Sequence, residues 1–416
     1  MRVGGRGRRA RRMRAAAALN GAAMVCALLV QSPAHAATGA ITEVSADSCT
    51  GSSNPTFYSA NHRIVQTAGG RLLTVFDAHH SGQQLAWRDP ATDWETATRG
   101  DVANGFFPGT DVNTDRPASI ALSYDSQGQQ HAWVVWASYN FRHTSAVKMR
   151  RLSDLDSPLG PAVGPEVTVE PVGLGNTDAD IGFEQPATGT ARGFVAWLEK
   201  TGSGYNLVTT WFTDLDTDSP AFTARHVLFS TSSRHVDPTV VGGASARVVA
   251  RSTKLKVFSH APGAPLDQWS TSGAGFGAKS VISPSATELP SGELLVAMES
   301  DKKTHVVKVA RFSASGDSVS TSLTTAPGYA QPTITVNGSA ALVVMVRKSD
   351  TTIVSRQLVG SSWGSDRVEI GAEGGGDYAW PNALRTSNGT LNLVVDGQRC
   401  PTNNAANDVI AYQRPL

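Results

Sequence analysis

The chain has 416 residues, with 36 Lys and Arg against 35 Asp and Glu, a formal charge of +1, 40 glycines and only 7% aromatic residues. Seven Arg and no acid fall within Met1–Arg14, so the rest of the chain stands at about −6 (+1 less seven). A net-acidic chain without a Lys/Arg run argues against nucleic acid and against an anionic membrane surface as partners.

Behind the basic start come an apolar run, Ala15–Val30, and the small-x-small sequence Ala34-His35-Ala36. This is the pattern of a secretory signal peptide over residues 1–36, with a mature chain starting near Ala37. The run is too short to span a bilayer, and no second apolar segment of about 20 residues follows. Arg8-Arg9 and Arg11-Arg12 leave the general and the twin-arginine export routes both open. Val25 before Cys26 is a poor lipobox, so a lipid anchor is not expected. Residues 37–416 read as a single secreted, extracellular, monomeric domain.

Ala40–Ser45 alternates with period two, as a strand does. Blade-like units follow. The first holds Arg63–Ala68, Leu72–Ala78 and Gln84–Arg88. The second opens at Arg116-Pro117-Ala118-Ser119-Ile120 and continues through His131–Ala137 and Ala146–Arg151. The third runs from about Asp180 through Gly193–Leu198 and Asn206–Phe212. Four tripeptides then mark time: Asp237-Pro238-Thr239, Ser283-Pro284-Ser285, Gln331-Pro332-Thr333 and Trp380-Pro381-Asn382, their prolines 46, 48 and 49 residues apart. Self-similarity at this period, built from short strands, predicts an all-β, seven-bladed β-propeller. The last blade, with Leu391–Val395 and Asp408–Gln413, is one strand short, and the N-terminal strand is expected to complete it. Closing the ring this way removes an edge open to aggregation.

Cys49 follows the closing strand and Cys400 lies between the second and third strands of the last blade. Both fall on one rim in an oxidising compartment, which predicts a Cys49–Cys400 disulfide. The same rim gathers His62 and Arg63 ahead of blade one, then Arg116, His235, Tyr378 and Trp380 ahead of later first strands. His79, His80, Tyr139, Arg142 and His143 stand between second and third strands, as do Glu299 and Asp301. His131, His226, His260 and His305 fall elsewhere and read as packing or surface residues. A neutral His beside a Tyr hydroxyl and an Arg suits proton abstraction next to a carboxylate: His works near pH 7, Tyr returns the proton, and Arg clamps the acid. No His-x-His or His-x₃-His spacing calls for a metal, and no cofactor is expected.

The stretch Asn61-His62-Arg63-Ile64-Val65, with Gly70-Arg71-Leu72-Leu73 after it, resembles the opening of the BNR/sialidase superfamily of propellers. That resemblance implies Arg63 as a carboxylate-binding residue and Tyr378 as a nucleophile. The chain is also similar, over about its first 90 mature residues, to BNR-type propeller polysaccharide lyases, which place one His before a first strand and another after the next. His62 and His80 match those positions, with Tyr139 and Arg142 for the remaining roles.

The leading expectation is a polysaccharide lyase acting on an acidic, uronate-containing glycan. His62 or His80 takes the C5 proton, Tyr139 protonates the leaving oxygen, and Arg142 or Arg63 binds the carboxylate. Arg63, His79, Arg116, His143, His235, Tyr378 and Trp380 make up the substrate-binding set. Two alternatives stay open: a sialidase-like exo-hydrolase using Tyr378 with Glu299, and a non-catalytic glycan- or protein-binding propeller.

Overall fold

Each alternating apolar stretch becomes a strand, and consecutive strands lie side by side in seven antiparallel sheets. The computed structural model describes residues 40–44, 62–77, 83–90, 92–96, 118–139, 145–173, 175–185, 190–251, 254–274, 282–301, 303–316, 319–371, 378–386, 388–397 and 408–416, and no helix occurs among them. His79, His80, Arg116, Arg142, His143, Cys49, Cys400 and residues 1–36 lie outside the described residues.

Counted outward from the channel, blade one is Ile64–Gln66, Leu72–Asp77, Gln83–Arg88 and Glu95–Thr96. Blade two starts with Ser119–Tyr124, Gln130–Tyr139 and Ser145–Ser153, blade three with Asn176–Glu184, Arg192–Lys200 and Tyr205–Thr213. Blade four is Thr239–Val241, Ala246–Arg251, Leu255–His260 and Trp269–Ala274; blade five is Ile282–Glu288, Leu294–Asp301, Val306–Phe312 and Val319–Thr324. Blade six is led by Tyr329–Asn337, Ala340–Arg347 and Thr352–Val359. Blade seven runs Ala379–Arg385, Thr390–Gly397 and Asp408–Pro415, and takes its outer strand from Ala40–Glu43. Ala40 pairs with Gln413 and Glu43 with Ile410, and the Val44 N–H donates to the Val409 carbonyl at 2.9 Å. The ring is shut by this strand, as the period-two pattern predicts.

The core is divided. One apolar cluster fills each space between neighbouring blades. Leu73, Val75 and Trp87 of blade one meet Ile120, Val134 and Trp136 of blade two, and Val44, Ile64, Phe76, Val394 and Val409 fill the space between blades seven and one. Both faces of each sheet are covered, so strands such as Leu72–Asp77 are buried along their whole length and read as continuous apolar runs. With the faces consumed by packing, the rims are left for function.

Three of the four X-Pro tripeptides turn out to be bulges. Ala330 faces Val346 and Thr333 faces Val344, so Gln331 and Pro332 together oppose one residue; the same shift occurs at Trp380-Pro381, Ser283-Pro284 and Asp178-Ala179. Asp178, Asp237, Gln331 and Trp380, the residues that open these steps, have φ of 56°, 45°, 51° and 49°. Non-glycine residues rarely adopt this left-handed conformation, and a bulge on an inner strand is where one is used to re-aim a side chain. Proline fits because a bulge on an edge strand does not require its missing N–H.

Two residues past Asp178, Asp237, Gln331 and Trp380 sit the small polar residues Asp180, Thr239, Thr333 and Asn382, with Ser285 and Ser119 at the matching places in blades five and two, all at most 5% exposed. They link one blade to the next. Thr239 donates to the Pro284 carbonyl at 2.6 Å, and the Ile334 N–H donates to Ser285 Oγ at 3.1 Å. On the opposite rim Asp156 accepts from Thr67 Oγ1 and from the Gly69 N–H, while Asp216 accepts from the Ser126 N–H and hydroxyl, so each carboxylate latches the hairpin of the preceding blade. A Cβ on Gly69 would come within 2.5 Å of Asp156, so this hairpin needs glycine.

Candidate functional site

Asp180 is the most heavily engaged member of the inner polar ring. Ser119 of blade two donates to its Oδ1, the Ile181 N–H donates to the same oxygen at 3.0 Å, and the Val240 N–H of blade four donates to Oδ2 at 2.7 Å. One fully buried carboxylate therefore ties three blades. A fourth reaches it: Nδ1 of His62, ahead of blade one, is 3.7 Å from Oδ1, with the imidazole 42% exposed. The backbone also fixes His62, whose carbonyl accepts from the Ile120 N–H at 2.9 Å. An accessible imidazole backed by a buried negative charge is the arrangement of a general base.

The other predicted residues separate. Arg63 does not reach solvent: it is 1% exposed, and its guanidinium donates to the Ala118 carbonyl of blade two. A strut between blades cannot also clamp a substrate carboxylate. Tyr378 is 2% exposed and packed among Val346, Ile353, Leu391 and Tyr412, and its hydroxyl has no hydrogen-bond partner among the described residues. The ring belongs to the core, because the strand enters blade seven one residue before the Trp380 bulge and its side chain falls between blades. Trp380 stays half-buried on the rim, its N–H donating to Gln331 Oε1 at 3.0 Å. His235 is half-buried in the loop ahead of blade four, where Arg234 Nε donates to its Nε2 at 3.3 Å. Tyr139 ends the second strand of blade two, opposite Ser145.

His305 corrects the sequence reading. It lies on the rim, in the loop between the second and third strands of blade five, in a left-handed conformation with φ of 53°. Its Nδ1 is 2.9 Å from Glu299 Oε1, and a carboxylate only accepts, so Nδ1 carries the proton. Glu299 is 4% exposed, and its other oxygen accepts from the Gln331 N–H at 3.2 Å. Thus Glu299, Gln331 and Trp380 run as a chain of hydrogen bonds across blades five, six and seven. The signal was Glu299 itself: a carboxylate closing an otherwise apolar strand, six residues before a histidine.

Beside this chain the Tyr329 hydroxyl donates to Asp366 at 2.5 Å, Arg356 pairs with the same carboxylate at 2.6 Å, and its guanidinium lies 5.3 Å from the Tyr329 ring centre. The bond to Asp366, followed by burial, pushes the Tyr329 phenol above its ordinary range. Arg347 holds the Asp350 carboxyl far below the usual carboxylate range through a 2.6 Å pair.

No family model matches the sequence, and no curated protein matches it. Among solved structures the chain is similar to the BP39L lectin of Burkholderia pseudomallei, with a TM-score of 0.55 and 10% identity over 86% of this chain and 99% of that one. It is also similar to the fucose-specific lectin of Aleuria aurantia (TM-score 0.44, 14% identity, 76% and 98% covered). A third is the PQQ-bound aldose sugar dehydrogenase of Streptomyces coelicolor (TM-score 0.46, 13% identity, 91% and 99% covered). At such identities the likeness is one of fold, and the fold is a seven-bladed β-propeller.

Proposed function

We propose that the protein is a secreted propeller that handles glycans at its channel mouth, cleaving acidic, uronate-containing polysaccharide by β-elimination. The carrying observation is the His62 imidazole, open to solvent and set 3.7 Å from the buried Asp180 carboxylate. In the proposed reaction His62 removes the C5 proton beside the uronate carboxylate, the C4–O bond breaks, and the electron pair becomes a C4–C5 double bond. The charge on Asp180 compensates the positive charge the ring takes up with the proton. His80 stays as the alternative base, Tyr139 as donor to the leaving oxygen, and Arg142 as the carboxylate clamp. With Arg63 committed to Ala118, Arg142 carries that last role alone. A hydrolytic alternative loses its nucleophile, since Tyr378 is packed in the core.

The test is direct. The mature protein is incubated with polygalacturonate, a glucuronate-containing polymer and a neutral glucan, and near-ultraviolet absorbance is followed together with reducing ends. A rise in both on an acidic polymer, abolished in His62→Ala, supports elimination. Reducing ends without absorbance point to hydrolysis, and binding without either makes the protein a lectin-like binder; each of these results overturns the proposal.

A further inference from the structure

The loops joining second to third strands in blades five and six are stitched together through one residue. The Gly328 N–H donates to the Thr304 and His305 carbonyls at 2.9 Å each, and the Lys348 N–H donates to the Gly328 carbonyl at 2.8 Å. This brings Lys303, His305 and Lys348 to one stretch of rim, with both lysines exposed. The carboxylates around them are engaged. Asp301 accepts from the Lys303 N–H and the Thr304 hydroxyl at 2.8 Å each, Asp350 pairs with Arg347, and Asp366 pairs with Arg356. Glu299 holds His305 Nδ1 and leaves Nε2 with no protein partner among the described residues. Two lysine charges and an oriented imidazole nitrogen therefore face solvent on a chain that is otherwise net acidic, with the Asp301 charge acting on Lys303.

We propose that this stretch is a second anion-recognition site, in which Lys303, Lys348 and His305 hold carboxylate or sulfate groups of an acidic polysaccharide away from the reacting sugar. The choice of ligand rests on the function proposed above. The groups belong to two neighbouring blades and line up along the rim, which suits the repeated charge of a polymer better than a single small anion. His305 hydrogen-bonds through its free nitrogen, while the lysines act as point charges whose effect salt screens.

The experiment measures binding of a long uronate oligomer and of a neutral glucan oligomer by titration calorimetry at two salt concentrations. It compares the wild type, Lys303→Gln/Lys348→Gln, each single lysine variant, His305→Gln, and Lys256→Gln on blade four as the control for loss of one charge. Two exposed ion pairs are worth about tenfold together, so the double variant is expected to bind the uronate oligomer about tenfold more weakly and with a flatter salt dependence. His305→Gln weakens it severalfold, and the control stays within twofold of wild type. A double variant that binds like wild type overturns the site even if the protein cleaves polysaccharide. A wild type that binds but does not cleave, with the loss seen in the double variant, supports the site and sinks the lyase reading.

Discussion

Nδ1 of His62 lies 3.7 Å from Oδ1 of Asp180, although the two residues belong to blades one and three. The contact passes over the start of blade two, whose Ser119 hydroxyl donates to the same oxygen. The group proposed as base and the groups that fix the ring's inner diameter are thus one assembly. The two roles can be separated by mutation.

His62→Ala should lower turnover by about 10²–10⁴-fold with little change in melting temperature, because its ring is 42% exposed. Asp180→Asn should lose activity and stability together. It replaces either the oxygen that accepts from the Val240 N–H or the one that accepts from both Ser119 and Ile181 with a donor, at about 1–3 kcal/mol for a buried unsatisfied group. Denaturant titration beside turnover checks both, and an Asp180→Asn protein of undiminished stability would contradict the role given to the ring.

His260 lies between blades three and four with no exposed surface. Nδ1 is 3.1 Å from Glu184 Oε1, Nε2 is 3.1 Å from the Pro265 carbonyl, and Trp211 and Trp269 pack against the ring. Arg192 pairs with the other Glu184 oxygen. His260→Ala leaves one Glu184 oxygen without its buried partner and is expected to cost about 1–3 kcal/mol, the range for a buried unsatisfied group. Turnover of the folded fraction should be unaltered, measured on protein freed of aggregate.

Tyr378→Phe is expected to retain full activity and an equal or higher melting temperature. It deletes a buried hydroxyl that has no partner among the described residues and keeps the ring's packing, and removing an unsatisfied polar group is neutral or favourable. A dead Tyr378→Phe enzyme would return the hydrolytic reading to contention.

Acid should weaken the fold through a small set of surface carboxylates. Arg71 holds Asp89 below its ordinary range, Arg311 does so for Glu293, and Arg347 for Asp350. A carboxyl lowered in the folded state contributes its full stability above its unfolded value, about pH 4, and loses it as pH falls through the folded value. Burial pushes Glu170 and Glu288 upward, which gives the opposite sign at higher pH. Melting temperature should therefore decline steeply only below about pH 4, and Arg347→Ala should flatten that limb. A protein equally stable at pH 2 and 5 would show that these pairs contribute nothing.

The Val44 N–H bonded to the Val409 carbonyl, and the pairing of Gly397 with Asp408, bracket the two segments that hold Cys49 and Cys400. Native mass spectrometry under alkylating conditions should find no free thiol in the mature protein. Cys49→Ser should lower stability by several kcal/mol, on the order of 4–5 for so long a loop, without loss of the fold. Two alkylated cysteines in the native protein would end this expectation.

Much of the architecture was legible because a propeller repeats its local chemistry. The third member of each marker tripeptide, Thr239, Ser285, Thr333 and Asn382, was in view as sequence; its reason emerged only when each proved to bridge to a neighbouring blade or bulge. Asp180 carries no proline before it, so its membership of that series was hidden, and its partners lie 60 and 61 residues away. Arg63 and Tyr378 turn inward for a reason the sequence hides. A position near a rim does not say which way a side chain turns, and a bulge one or two residues away decides it. His305 was overlooked because the third strand of blade five begins at Val306, which places a histidine that reads as strand at the end of a loop.

The seventh blade joins Ala40–Glu43 to Asp408–Pro415, so the first and last described strands are neighbours in space. During synthesis an arc of six blades waits, with apolar flanks uncovered at both ends, until residues 408–415 have been made. Chaperone demand should accordingly peak late in synthesis. The same adjacency makes the chain nearly circular in topology: a permuted gene that links the two strands and opens instead between the first and second strands of blade two would keep all seven sheets and move the closure to that blade.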